Sequence, residues 1–90
     1  HRFLTKLYIY CLFEQDDIFH GVYSSLKSAH RDALKMANKG PAGVYIKHDG
    51  EYLVPTLPIL KKIFNGELDI KVEYNSSAAR ATIIKTKLKE

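Results

Sequence analysis

One thiol, four imidazoles and a pair of adjacent carboxylates are the side chains of this 90-residue chain whose types could do covalent or acid–base chemistry. A cysteine attacks as its thiolate, which forms at neutral pH only beside a base or a cation. Cys11 instead lies inside Leu7 to Phe13, Leu-Tyr-Ile-Tyr-Cys-Leu-Phe, the most apolar stretch of the chain, where it is expected to be buried as a small hydrophobe. His20, His30 and His48 fall on a strand, a helix and a turn, with no two at metal-ligand spacing. His30 lies beside Leu26 and Leu34 and reads as a core-edge residue; His48 reads as the exposed partner of Glu51 across a hairpin. Asp16-Asp17 sits in a polar break, where adjacent acids act as solvated turn formers. Gly40-Pro41-Ala42-Gly43 lacks the spacing and the following lysine of a phosphate-cradling loop. No catalytic, metal or cofactor motif emerges.

Contact chemistry is more promising. Gly43 to His48, Asp49-Gly50 and Glu51 to Val54 spell a hairpin, because Asp-Gly readily takes the positive φ angles of a type I′ turn. That two-residue loop sets His48 opposite Glu51, Lys47 opposite Tyr52 and Ile46 opposite Leu53, and therefore puts Tyr45, Lys47, Tyr52 and Val54 on one face. Two diagonal tyrosines with a lysine between them could anchor a protein partner, or could stack bases and hold a phosphate; equally, a helix could cover them as ordinary core, since one hairpin face must pack against something. Lys27, Arg31 and Lys35 recur every four residues, as one ridge of a helix. Lys85, Lys87 and Lys89 alternate along the last strand, where lysines are suited to guarding a sheet edge. The two basic stripes make a nucleic-acid footprint only if they converge.

These residues need elements to hold them. With no polar residue on either face, Leu7 to Phe13 reads as a strand buried on both sides, at the centre of a sheet with helices over at least one face. Ile18 to Tyr23 continues as a hairpin partner, with Gly21 marking a bulge or close backbone approach. Ser24-Ser25 caps a helix over Leu26 to Lys39, which Gly40 and Pro41 stop; its apolar stripe, Leu26, Ala29, Ala33, Met36 and Ala37, is alanine-rich and allows close approach to the sheet. A short helix is predicted over about Pro58 to Asn65, with Leu60, Ile63 and Phe64 inward and Lys61 and Lys62 outward. Leu68 to Tyr74 alternates as a half-exposed strand, and Ala81 to Leu88 is the last strand. The order β-β-α-β-β-α-β-β gives one α+β domain spanning residues 1–90, a mostly antiparallel sheet with helices on one side.

Composition sets the outer limits: 46% of residues are hydrophobic and 27% charged, which is ordinary for one small globular domain. A single cysteine excludes an internal disulfide and any cysteine-built zinc or iron–sulfur cage. No apolar run approaches the roughly 20 residues that cross a bilayer, and no signal-peptide core stands at the start. A cytoplasmic domain is expected. The net charge of +4 and pI near 9.2 favour polyanions only weakly.

The run Ile18-Phe19-His20-Gly21-Val22-Tyr23-Ser24-Ser25-Leu26-Lys27-Ser28-Ala29, following Leu7-Tyr8-Ile9-Tyr10, resembles a pattern in small, mostly uncharacterised accessory proteins of tailed phages. There a tyrosine-rich strand leads to a Gly-Val-Tyr strand end, a serine cap and an alanine-rich helix. The resemblance covers about the first 40 residues. It implies an accessory protein that binds and modulates a host protein in the host cytoplasm, and it brings no catalytic residue with it. The expected function is thus a non-enzymatic binding domain without a cofactor, acting on a protein, with a nucleic-acid-binding domain as the alternative.

Overall fold

The computed structural model describes residues 8–38, 43–65 and 70–88. Six strands and two helices follow in the predicted order: β1 (Tyr8–Glu14), β2 (Ile18–Tyr23), α1 (Leu26–Ala37), β3 (Tyr45–His48), β4 (Glu51–Leu53), α2 (Leu57–Ile63), β5 (Ile70–Asn75) and β6 (Arg80–Lys87). The strands form one sheet in the order β2-β1-β6-β5-β3-β4, and every neighbouring pair is antiparallel. The helix stop at Gly40 and Pro41, the start of the fifth strand at Leu68, and Lys89 lie outside the described residues.

Local chemistry accounts for most boundaries. Ser25 Oγ accepts the Ser28 N–H at 3.2 Å and so caps α1, while Asn38 closes it by donating its N–H to the Leu34 carbonyl. Thr56 Oγ1 does the same for α2, accepting the Ile59 N–H at 3.4 Å, with Pro58 in the first turn where its missing N–H costs nothing. Between β1 and β2, Gln15–Asp17 forms a 3-10 turn in which Asp16 (φ 65°) and Asp17 (φ 59°) both adopt left-handed backbone. Aspartate tolerates that region better than most residues, which explains the acidic pair as turn chemistry. The pairing slips by one residue where Leu12 faces Gly21 but Phe13 faces Phe19. The expected irregularity at Gly21 is therefore a bulge at His20.

The hairpin register is the predicted one: Ile46 faces Leu53, Lys47 faces Tyr52 and His48 faces Glu51. Asp49 (φ 50°) and Gly50 (φ 79°) occupy the positive-φ positions of the turn. A Cβ on Gly50 would meet nothing within 4 Å, so only backbone conformation opposes a side chain there. Gly50→Val is expected to lower the unfolding free energy by about 1 kcal/mol or more, because a β-branched residue resists positive φ. Chemical denaturation of the variant measures this, and an unchanged midpoint would contradict it.

Register also sorts the sheet into two faces. Tyr10 and Leu12 of β1, Ala81, Ile83 and Lys85 of β6, Val72 and Tyr74 of β5 and Ile46 of β3 share one side. This is the side the helices cover: Leu12, Ala81, Ile83, Tyr74 and Ile46 are fully buried there with Ala29, Ala33 and Ala37 of α1 and Leu60 of α2. The alanines let α1 lie close against β1 and β6. Neither helix covers the other side, where Phe19, Val22, Tyr45 and Tyr52 stay exposed, Cys11, Phe13 and Ile84 are half-buried and Thr82 is buried.

Two sequence expectations fail here for one reason. The first strand is central, flanked by β2 and β6, but it is covered on one face only, and its Cys11 is half-buried rather than buried. The last strand is not an edge: β6 inserts between β1 and β5. Its lysine-bearing face, moreover, points under the helices, since Lys85 follows Ala81 and Ile83 on the same side.

Candidate functional site

The bare face of the sheet is the candidate site, and it divides into two chemically different halves. On β3 and β4, Tyr45 and Tyr52 meet edge-to-face with ring centroids 5.3 Å apart and planes at 74°. The Lys47 ammonium lies 5.5 Å from the Tyr52 ring centroid, a cation–π distance that partly orders the long side chain. Both tyrosines are solvent-facing, at 41% and 67% of full exposure, whereas Val54, expected on the same face, lies past the end of β4 and lines a cavity with Leu34 and Lys35 of α1. A shallow groove of about 220 Å³ runs alongside, lined by Lys47, Lys71, Glu73 and Asn75. The Tyr45–Lys47–Tyr52 face read from the sequence thus lies outside the core.

The second half lies on β2, β1 and β6. Phe19 and Val22 stand 56% and 54% exposed, and Phe13 packs edge-to-face on Phe19 with centroids 5.7 Å apart. Cys11 sits between Val22 and Ile84 in the cross-strand register. Sequence reading missed this half. It took the apolar content of the first strand as a sign that both faces are buried, although the exposed partners on β2 were visible as Phe19 and Val22.

The basic stripes do not join the tyrosines. Lys27, Arg31 and Lys35 are exposed on α1, which packs on the opposite side of the sheet. Their ridge is broken by Asp32, whose Oδ1 accepts from Arg31 Nε at 3.2 Å and whose Oδ2 accepts from the Tyr23 hydroxyl at 2.6 Å. Lys85 belongs to no surface stripe. It is only 8% exposed; its ammonium donates to the Phe64 carbonyl at 2.6 Å and lies 4.6 Å from the Tyr8 ring centroid. It therefore closes the C-terminus of α2, where a cation opposes the negative end of the helix dipole. Lys87 is exposed and shares the helix side with Lys85 by register.

The titratable groups with displaced pKa values hold the fold together. Burial, then the bond to Asp32, pushes the Tyr23 hydroxyl up to about 12. The same bond, then Arg31, holds the Asp32 carboxyl below its usual range. Burial lowers the His30 imidazole, keeping it neutral; its Nδ1 lies 2.8 Å from the hydroxyl of the fully buried Tyr74, whose own pKa burial raises. Tyr23–Asp32 pins α1 to β2, and His30–Tyr74 pins it to β5. At the hairpin tip His48 is exposed and faces Glu51 across the strands as expected, and its Nε2 also lies 3.4 Å from Asp49 Oδ2. A cavity of about 480 Å³ between Leu26, Phe64 and β1 is lined by Lys61, Lys62, Lys85 and Tyr10, with no carboxylate, imidazole or thiol among its lining residues. Among the described residues no three His, Cys, Asp or Glu side chains assemble into a metal site, and no helix is long and apolar enough to cross a membrane.

Fold and site together define a small two-layer α+β domain with one bare sheet face. Comparisons of the chain with protein-family models, with characterised proteins and with solved structures find no match. The geometry of that face is what remains to speak for function.

Proposed function

We propose that this chain is a non-enzymatic binding domain that grips a protein partner with the Tyr45–Tyr52 half of its bare sheet face. The observation that supports this is the placement of two exposed, mutually packed tyrosines with Lys47 on a sheet face that no helix covers. Tyrosine offers a large, nearly rigid contact area with a polar tip, the usual composition of an interface anchor. In the setting the phage resemblance implies, the partner is a host protein and the site of action the host cytoplasm.

Nucleic acid is the weaker reading on the same geometry. Successive bases stack on ring faces that stand open, whereas Tyr45 meets Tyr52 edge-on and Lys47 lies over the Tyr52 ring. The Lys27–Arg31–Lys35 ridge projects from the opposite side of the molecule, and on the bare face Lys71 stands beside Glu73.

Alanine at Tyr45 or Tyr52 is expected to leave the fold intact and to weaken partner capture by about 1–3 kcal/mol, the range of an interface anchor. Quantitative pull-down from host lysate, with circular dichroism of each variant, measures both. A complex resting on lysine–phosphate contacts would instead lose affinity steeply between about 50 and 200 mM salt. Steep salt loss with no tyrosine effect would refute the protein-partner reading.

A further inference from the structure

On the helix side of the sheet, away from the tyrosines, a solvent-open cavity of about 480 Å³ lies between the start of α1, the C-terminal end of α2 and the sheet. Its volume falls within the range of about 300–1,000 Å³ that small-molecule sites occupy. Cross-strand pairing sets Tyr10 of β1 beside Lys85 of β6. Phe64 packs its ring edge-to-face on Tyr10, with centroids 5.8 Å apart and planes at 87°, and Leu26 adds the remaining apolar surface. Lys61 and Lys62, in the last turn of α2, are exposed and complete the lining.

Three ammonium groups thus border one space, and among the described residues none of them has a carboxylate partner: the ion pairs there are His20–Glu14, Arg31–Asp32 and His48–Asp49. Lys85 carries the argument. It is 8% exposed, yet its ammonium meets only neutral groups, the Phe64 carbonyl at 2.6 Å and the Tyr8 ring at 4.6 Å. Burial of a cation is costly unless a counter-charge meets it, and a single carbonyl leaves N–H donors of the ammonium unused. Leu26 begins α1, so the positive end of that helix's dipole falls at the same opening; it opposes the negative end of the short α2, which Lys85 already caps.

We propose that this cavity binds a small organic oxyanion, a phosphate or carboxylate head on an apolar body, with the head among Lys61, Lys62 and Lys85 and the body against Tyr10, Leu26 and Phe64. Both parts are needed. A bare inorganic anion supplies the missing counter-charge but leaves the apolar wall in water, and an uncharged apolar molecule covers the wall but leaves the buried ammonium without a counter-charge.

Titration of the isotopically labelled chain with phenyl phosphate and with benzoate, followed by two-dimensional NMR, tests this. At least one should shift the signals of Tyr10, Leu26 and Asn65 saturably with a Kd at or below about 1 mM, and the tighter of the two identifies the preferred head. Inorganic phosphate and benzyl alcohol should each bind at least about tenfold more weakly than that probe. Lys61→Gln with Lys62→Gln, both at exposed positions, should keep the thermal midpoint and weaken binding at least about fivefold at low salt. Lys35→Gln with Arg80→Gln removes the same charge elsewhere and should leave the affinity unchanged. Lys85→Met should weaken binding further but also uncaps α2, so the exposed pair carries the test where that variant does not fold. Absence of saturable shifts up to about 10 mM of either probe, shifts centred on Phe19 and Val22 of the bare face, inorganic phosphate binding as tightly as phenyl phosphate, or equal losses in the two double variants would overturn the proposal. None of these outcomes depends on whether the tyrosine half grips a partner.

Discussion

Tyr74→Ala is expected to lower the unfolding free energy by about 3–5 kcal/mol, the cost of emptying a buried aromatic site. Tyr74 is fully buried on β5, between Ala81 of β6 and Ile46 of β3 in the register. The small Ala81 beside it leaves the ring as the main filler of that part of the layer. Its hydroxyl is also the far end of a tether to α1: burial keeps His30 neutral, and a neutral imidazole can accept the phenol proton at Nδ1, 2.8 Å away. The substitution thus opens a cavity beneath the helix and removes one of its two polar pins. A small domain whose whole stability is of order 5–15 kcal/mol has little left after such a loss. Tyr74→Phe separates the contributions, since it keeps the ring and is expected to cost only about 1 kcal/mol, the net worth of one hydrogen bond. Urea denaturation of the pair measures both, and equal losses would contradict the assignment of the ring as the larger contributor.

Neighbouring isoleucines on β6 provide the second large effect. Ile83→Ala is expected to cost about 2–5 kcal/mol, whereas Ile84→Ala should cost about 1 kcal/mol. Ile83 is fully buried beneath the helices, so its truncation leaves an enclosed void whose lining loses contacts on every side. Ile84 faces the bare side, where water fills the space that truncation opens and no cavity cost is added. Similar losses at both positions would mean that the outer face of β6 is covered as its inner face is, contrary to the one-sided helix layer.

The positions that stabilise the fold and those offered for binding are consequently separated by strand alternation. Ile46, Tyr74 and Ile83 point into the helix layer; Tyr45, Lys47, Cys11 and Ile84 point away from it. A partner can engage the bare face without displacing core side chains, so binding and folding can be disrupted independently by mutation.

Local chemistry by itself determined the elements and one register. Ser25 and Thr56 have the cap chemistry that starts two helices; Asp49-Gly50 forces a tight turn; and a two-residue turn leaves no freedom in which residues face each other, so Tyr45, Lys47 and Tyr52 had to share a face. These are interactions over a few residues, and their physics is complete within the sequence window. Strand order and facing were decided only by the tertiary structure. The last strand pairs with the first, about 70 residues away in sequence, because insertion between β1 and β5 satisfies the backbone of both β6 edges. That choice turned Lys85 from a surface lysine into a buried cap on α2. It also settled which face of β1 the helices cover: only one side of the sheet offers Leu12, Ala81 and Ile83 together to the alanines of α1. An apolar strand such as Tyr8 to Phe13 has equal appetite for cover on both sides, and two helices on the same side of the sheet leave the second face without a helical layer.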